Sequence, residues 1–324
     1  MTQMIEMFQD FMIQYNKSYK SPEEIHCRFK FFVQNLEVSR ELQASEQGTA
    51  QYGVTQFSDL TEREFEKMFA IPHPTKLPVL KQMAMPQKAQ KQPSCDWRKF
   101  GAITEVKHQG TCRSCWAFAA ASNIEALWNI HRHSPRNVSV QELVDCTGYK
   151  DGCMGGYVWD AFLTVINRSG LSSSKLYPYR DKEQRCQKYH KRVLTGIEGY
   201  EILPRDERDM AEIVASQGPI TALLNMKLLQ LYKNGVIWRP SEDCPKDYLD
   251  HVALIVGYGQ VPKQRGSPAK QYWIIKNSWG KTWGEKGYFR LHRGDNTCGI
   301  AMYAVTAIVK NSTAISEMRV SCPR

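Results

Sequence analysis

No apolar run in this 324-residue sequence approaches the roughly 20 residues needed to cross a bilayer, which excludes a membrane-spanning helix. Residues 1–10 mix acids and amides with apolar side chains and lack the uninterrupted apolar stretch of a secretory signal. No segment repeats, and no nucleic-acid module pattern appears. The net charge of +10 therefore reads as a solvated basic surface and not as a nucleic-acid footprint. Residues 1–93 carry 11 Lys/Arg and 11 Asp/Glu, so the whole excess falls after residue 93. The 42% hydrophobic and 23% charged fractions are ordinary for a globular chain. Cysteine is not scarce. Ten cysteines and four Asn-x-Ser/Thr sequons, at Asn16, Asn137, Asn167 and Asn311, suit a secretory route. A signal peptide preceding the given chain reconciles these facts, with the lysosome, the endoplasmic reticulum lumen or the cell exterior as destination.

Three regions separate by composition. Up to about Phe69 the pattern is helical, with Met4, Phe8, Phe11 and Met12 on one stripe and a second helix expected over residues 23–46. Residues 71–94 are rich in Pro, Lys and Gln, with three prolines between Pro72 and Pro78, and read as a linker unable to bury a core. From Asp96-Trp97 onward the chain is dense in Trp and Cys. Its first half reads helical, over 115–130 and from Ser139. Its second half reads as strands, at 220–224, 252–257, 272–276 and 288–291. Helices followed by strands point to an α+β fold of two lobes with a cleft between them.

Cys112-Arg113-Ser114-Cys115-Trp116 opens the first of those helices, so the Cys115 sulfur lies at the positive end of a helix dipole. That position favours thiolate, the reactive form. A thiolate nucleophile needs a proton partner, most often a histidine steadied by a third group. Asp250-His251-Val252 heads a strand, and Lys276-Asn277-Ser278-Trp279-Gly280 ends the next. Antiparallel pairing would bring His251 and Asn277 together. His251 follows Cys115 by 136 residues, and Asn277 follows by 26 more. The other histidines, His108 and His292 among them, read as core or surface residues.

These pieces, with Asp96-Trp97-Arg98, Gln109-Gly110-Thr111-Cys112, Cys153-Met154-Gly155-Gly156, Gly257-Tyr258-Gly259 and Trp283-Gly284, resemble the papain family of cysteine peptidases over nearly the whole chain. The resemblance implies a helical lobe and an antiparallel β-barrel lobe, preceded by a helical inhibitory prodomain. Residues 1–70 would be that prodomain, 71–94 a linker crossing the cleft, and 95–324 the peptidase domain with its tail. It implies that Cys115 attacks the peptide, His251 carries the proton, Asn277 holds the imidazole and Gln109 helps bind the oxyanion. Trp279 would shield the His251–Asn277 contact, and Gly155, Gly156 and Tyr157 would flank the substrate strand. Leu223, Leu249, Val252 and Tyr303 would line a crowded S2 pocket preferring medium aliphatic side chains. It also implies the pairs Cys112–Cys153, Cys146–Cys186 and Cys244–Cys298. Cys95 and Cys322 are then expected to pair, or else to remain free thiols, and Cys27 is left over. Expected partners are polypeptide substrates, the chain's own prosegment and cystatin-type inhibitors, for a monomer with no nucleic acid, no membrane span, no metal and no cofactor.

In the prosegment, Glu24, Arg28, Phe32 and Asn35, then Ser39 and Gln43, follow the family's helix motif, with Ser39 where Ala is usual. Residues 53–59, with Gly53, Phe57 and Asp59, resemble its Gly-x-x-x-Phe-x-Asp motif. Protonation of Asp59 and its neighbours is expected to loosen the cap in acid. Arg113 departs from the family signature, which has Gly. A long cation there either narrows S1 and favours acidic residues or points into water, and it carries strain if the position needs positive φ. No early insertion resembles the cleft-capping loop of carboxydipeptidases, so an endopeptidase is expected. A weakly proteolytic papain-fold binding protein is the alternative.

Overall fold

The computed structural model describes residues 2–79, 81–85, 92–149, 151–187, 194–261, 270–309 and 321–324. The N-terminal aromatic stripe forms helix α1 (Thr2–Gln14), whose Phe8 and Phe11 share a buried cluster with Phe32 and Leu36 of α2 (Pro22–Ala44). The start of α2 is dictated locally. The Ser21 hydroxyl accepts the Glu24 N–H, Pro22 has no N–H to leave unpaired, and Glu23 and Glu24 face the positive helix end. Helix α3 (Glu62–Phe69) opens with a reciprocal Thr61–Glu64 cap.

The prosegment motif holds the turn between those two helices. Asp59 is buried and accepts from Lys17 Nζ at 2.8 Å and Tyr19 Oη at 2.9 Å. Asn35 Nδ2 donates to the Ser58 and Leu60 carbonyls, and Arg28 Nη1 to the Asp59 carbonyl and to Glu64. Glu24 accepts the Lys20 N–H, Gln43 pairs with the backbone of Ala50 and Tyr52, and the buried Ser39 hydroxyl turns back to the Leu36 carbonyl. The Gly53 N–H donates to the Leu231 carbonyl, where β1 (Gln51–Tyr52) docks on the peptidase.

The helical lobe is α4 (Cys115–Arg132), α5 (Val140–Cys146) and α6 (Val158–Asn167). Helix α4 is buried on nearly every side because it runs through the middle of the molecule. The strand lobe holds β2 (Cys95–Asp96), β3 (Gly199–Ile202), helix α7 (Glu207–Gln217), β4 (Ile220–Leu224), β5 (Tyr232–Asn234) and β6 (Val236–Ile237). It is completed by β7 (His251–Val261), β8 (Lys270–Lys276), β9 (Tyr288–His292) and β10 (Ala304–Ile308). Their order is β3-β10-β4-β7-β8-β9-β6, with β2 on β7 and β1 on β5. All pairs are antiparallel except β6–β9, a parallel contact of two residues that the expected antiparallel sheet did not include. A side chain at Gly257 would collide with the Cys95 carbonyl, so glycine lets β2 lie against β7.

The linker departs from its sequence reading. Its composition is that of a solvated strap, yet Ile71 and Met83 are buried, and the Met83 N–H donates to the Ile202 carbonyl. The disulfides are Cys112–Cys153, Cys146–Cys186, Cys244–Cys298 and Cys95–Cys322, and Cys27 and Cys115 are thiols. Cys95–Cys322 ties the last residues to β2, beside an Asp96 N–H bond to the Pro323 carbonyl. Among the described residues, no helix is long and apolar enough to cross a membrane. Asn16, Asn137 and Asn167 are exposed, and Asn311 lies outside the described residues.

Candidate active site

Cys115 is the first residue of α4, and the side chain of the preceding Ser114 does not cap that helix. Its hydroxyl pairs with Tyr179 Oη instead, at 2.7 Å, leaving the positive helix end to the sulfur. His251 is the first residue of β7, and Asn277 follows the last residue of β8. Leu254 of β7 lies opposite Lys276 of β8, so the start of one strand meets the end of the other. His251 Nε2 lies 2.9 Å from Asn277 Oδ1. That oxygen also accepts the Ser278 N–H, which fixes the amide as acceptor toward the ring. Nε2 therefore carries the proton, and Nδ1 keeps its lone pair and has no hydrogen-bond partner. The Trp279 ring sits 5.0 Å from the imidazole, and both are buried.

The charge state differs from the sequence expectation. Helix position alone argues for thiolate, but burial pushes the Cys115 thiol up to about 12, against the backbone N–H groups of Val252 and Trp116. Burial likewise pulls His251 down to about 4 despite its bond to Asn277. Neither residue is accessible to solvent, and among the described residues no hydrogen bond joins the two. The site is thus neutral while covered.

The cover is the N-terminal segment. The Ile71 N–H donates to the Asp250 carbonyl at 2.8 Å, one residue from His251. Gly155 has φ 102°, and a Cβ there would come within 2.5 Å of Pro72, so glycine admits the crossing chain. Gly156 is equally closed in by Tyr149 and Trp116. Phe57, Phe65 and Phe69 gather round Trp279 with ring centres 5.0–5.5 Å away, and Gln56 donates to the Trp279 carbonyl. Sequence reading named Phe57 but missed Phe65, Phe69 and Ile71. The signal available was two Phe at helical i, i+4 spacing just before the prolines.

Several of the remaining expected residues lie around this crossing. Leu223 and Val252 are opposite one another on β4 and β7. With Leu249, Tyr303 and Cys115 they share one buried apolar cluster with Ile71. Tyr157 stacks on Trp159, and a groove of about 310 Å³ runs between Pro72, Tyr149, Met154, Gly155, Gly156 and Tyr157. Gln109 Nε2 donates to the Cys112 carbonyl at 2.9 Å and its Oε1 accepts from Ser278 Oγ at 2.7 Å. With the prosegment in place, Arg113 is engaged by α3. Its Nε donates to the Lys67 carbonyl at 2.7 Å, and its φ is not among the positive values, so no strain attaches to it.

Residues 92–308 match the family described as papain family cysteine protease. The chain belongs to that family. Residues 8–65 of this papain-family protease match the cathepsin propeptide inhibitor domain, so the segment over the cleft is the inhibitor of its own peptidase. The chain is a cysteine-type endopeptidase in zymogen form, α+β and papain-like in fold. It is 44% identical to cathepsin W of Felis catus over 98% of this chain and 89% of that one. To cathepsin F of Mus musculus it is 38% identical, over 94% and 65% respectively. Digestive procathepsin L2 from Tenebrio molitor superposes with TM-score 0.84 at 31% identity, covering 94% of this chain and all of that one.

Proposed function

We propose that Cys115, His251, Asn277 and Gln109 carry out peptide hydrolysis once the covering segment leaves. The observation that carries this is the imidazole held by Asn277 under Trp279, with Nδ1 unpaired, while Asn277 lines one small cavity with a thiol at a helix N-terminus. With water readmitted, the Cys115 proton passes to Nδ1, giving thiolate and imidazolium, both now solvated. The sulfur attacks the scissile carbonyl carbon, and the oxyanion is held by Gln109 Nε2 and the Cys115 N–H. The imidazolium protonates the leaving amine as the C–N bond breaks. Water, deprotonated by Nδ1, then hydrolyses the thioester and returns the sulfur.

Ile71 stands where the side chain of a substrate would enter the pocket of Leu223, Leu249, Val252 and Tyr303. A medium aliphatic residue is therefore the preferred P2. Residues 1–70 act as the inhibitor, 71–94 hold the processing site, and 95–324 remain as the mature enzyme. Four disulfides and three exposed sequons support a secretory route ending in the lysosome, the endoplasmic reticulum lumen or outside the cell. The mature form works as a monomer open to cystatin-type inhibitors. The test is acid processing followed by an epoxysuccinyl probe. The account expects one adduct, on Cys115, with loss of peptide cleavage, and none in Cys115→Ala. Cleavage that persists in Cys115→Ala would end it.

A further inference from the structure

Two arginines of the peptidase region reach into the prosegment and end on the same kind of group. Arg239, with its side chain 4% exposed, donates from Nη1 to the Leu42 carbonyl at 2.6 Å and to Ser45 Oγ at 2.7 Å. Its Nη2 is held by Asp243 at 2.7 Å. Arg113 donates from Nε to the Lys67 carbonyl at 2.7 Å. Leu42 lies in the last turn of α2 and Lys67 in the last turn of α3. A helix leaves its last four carbonyls without intrahelical donors, and they carry the negative end of its dipole. At α3 the Ala70 N–H takes the Glu66 carbonyl, which leaves the Lys67 carbonyl to Arg113.

We propose that Arg113 and Arg239 form a paired latch that captures the C-terminal ends of the prosegment helices α2 and α3 through their backbone carbonyls. This rests on the reading of residues 1–70 as the inhibitory segment. The bound partner is thus recognised as helix ends, whatever side chains those positions carry. Lys67 makes the point, since a lysine side chain next to a guanidinium offers no attraction. The Arg113 half also explains the departure from the family signature: a glycine there has no side chain to reach α3. Arg113 is a positioning residue for the cap, and the cap in turn keeps water from Cys115.

The test uses the full-length chain with Cys115→Ala, so that no processing occurs, and reads amide hydrogen exchange. Hydrogen bonds to charged groups are strong enough that losing one should speed local opening roughly tenfold. Arg113→Gly is expected to speed exchange in residues 62–69 by about that factor, with β7 and β8 still protected. Arg239→Met is expected to do the same for the last turn of α2. Lys67→Ala should leave α3 unchanged, because the carbonyl remains. Unaltered exchange in α3 of Arg113→Gly, or an equal effect from Lys67→Ala, would overturn the latch. If Arg239→Met unprotects β7 and β8 as well, Arg239→Lys decides its half: faster exchange confined to α2 supports it, and no change in α2 overturns it. No peptide cleavage enters this measurement, so its failure and that of the catalytic reading are separable.

Discussion

A thiol without water around it and an imidazole with one idle nitrogen do not form an ion pair. Cys115 at about 12 and His251 at about 4 are the two halves of a site whose charges cost too much to form while covered. On the proposed mechanism, uncovering moves one proton from sulfur to nitrogen and takes up none from solvent near neutrality. This pair therefore does not itself make the cap acid-labile. Gln109 shows the same restraint: its amide is spent on Cys112 and Ser278 in the covered state. One Nε2 hydrogen remains for an oxyanion. Gln109→Ala in the processed enzyme is expected to lower kcat by roughly a hundredfold with KM little changed. Steady-state kinetics on a dipeptide amide would check this, and an effect confined to KM would assign Gln109 to ground-state binding instead.

At the scale of elements, acid sensitivity belongs to the contacts of α3. Burial of Glu64 works against its charge, but the Arg28 hydrogen bond and the Thr61 cap outweigh it and hold the carboxyl below its ordinary value. A carboxyl held low by partners inside the prosegment supports its α2–α3 packing at full strength above its free value, and that support is lost as pH falls through the lowered value. Asp250 has the opposite sign. Burial raises it to about 7, with Glu66 adding to the effect. Its docked form keeps a proton, so it favours docking in acid and opposes it progressively as pH rises toward 7. Glu64→Gln cannot gain the proton that loosens α3 from Arg28 of α2. The rate of self-processing at about pH 4 relative to pH 7 should fall several-fold in this variant. An unchanged ratio would remove Glu64 from the response.

The same elements show how far sequence reaches. Cys115, His251 and Asn277 were legible because each sits at the end of a periodic helix or strand inside a motif. The start of α2 was legible within one residue from its helical periodicity, though it ends at Ala44 and not at 46, and the bounds of β4 were legible from a short, mostly apolar run. The two-residue strands β1, β2 and β6 carry no periodicity to read. The linker's burial of Ile71 and Met83 was hidden by the polar residues around them, since composition averages over a strap whose anchors are single side chains. Arg113 could be seen as a departure, but its partner lies 46 residues earlier on a helix end that only folding brings near.

Across the whole molecule, the helical lobe supplies the sulfur, the strand lobe the imidazole and its amide, and the prosegment the dry cover over both. Cys95–Cys322 closes the strand lobe by joining the first peptidase strand to the end of the chain. The central claim is that covering neutralises the site and uncovering charges it. The most direct measurement is the pH dependence of Cys115 alkylation by a small neutral reagent, in full-length and processed protein. The full-length protein would carry Cys27→Ser to remove its exposed second thiol, which processing removes with the prosegment. The account predicts that processed enzyme reacts well below the ordinary thiol value of about 8.5, while the full-length chain stays unreactive until strongly alkaline pH. A single shared curve, or a processed enzyme that titrates as an ordinary thiol, would contradict it.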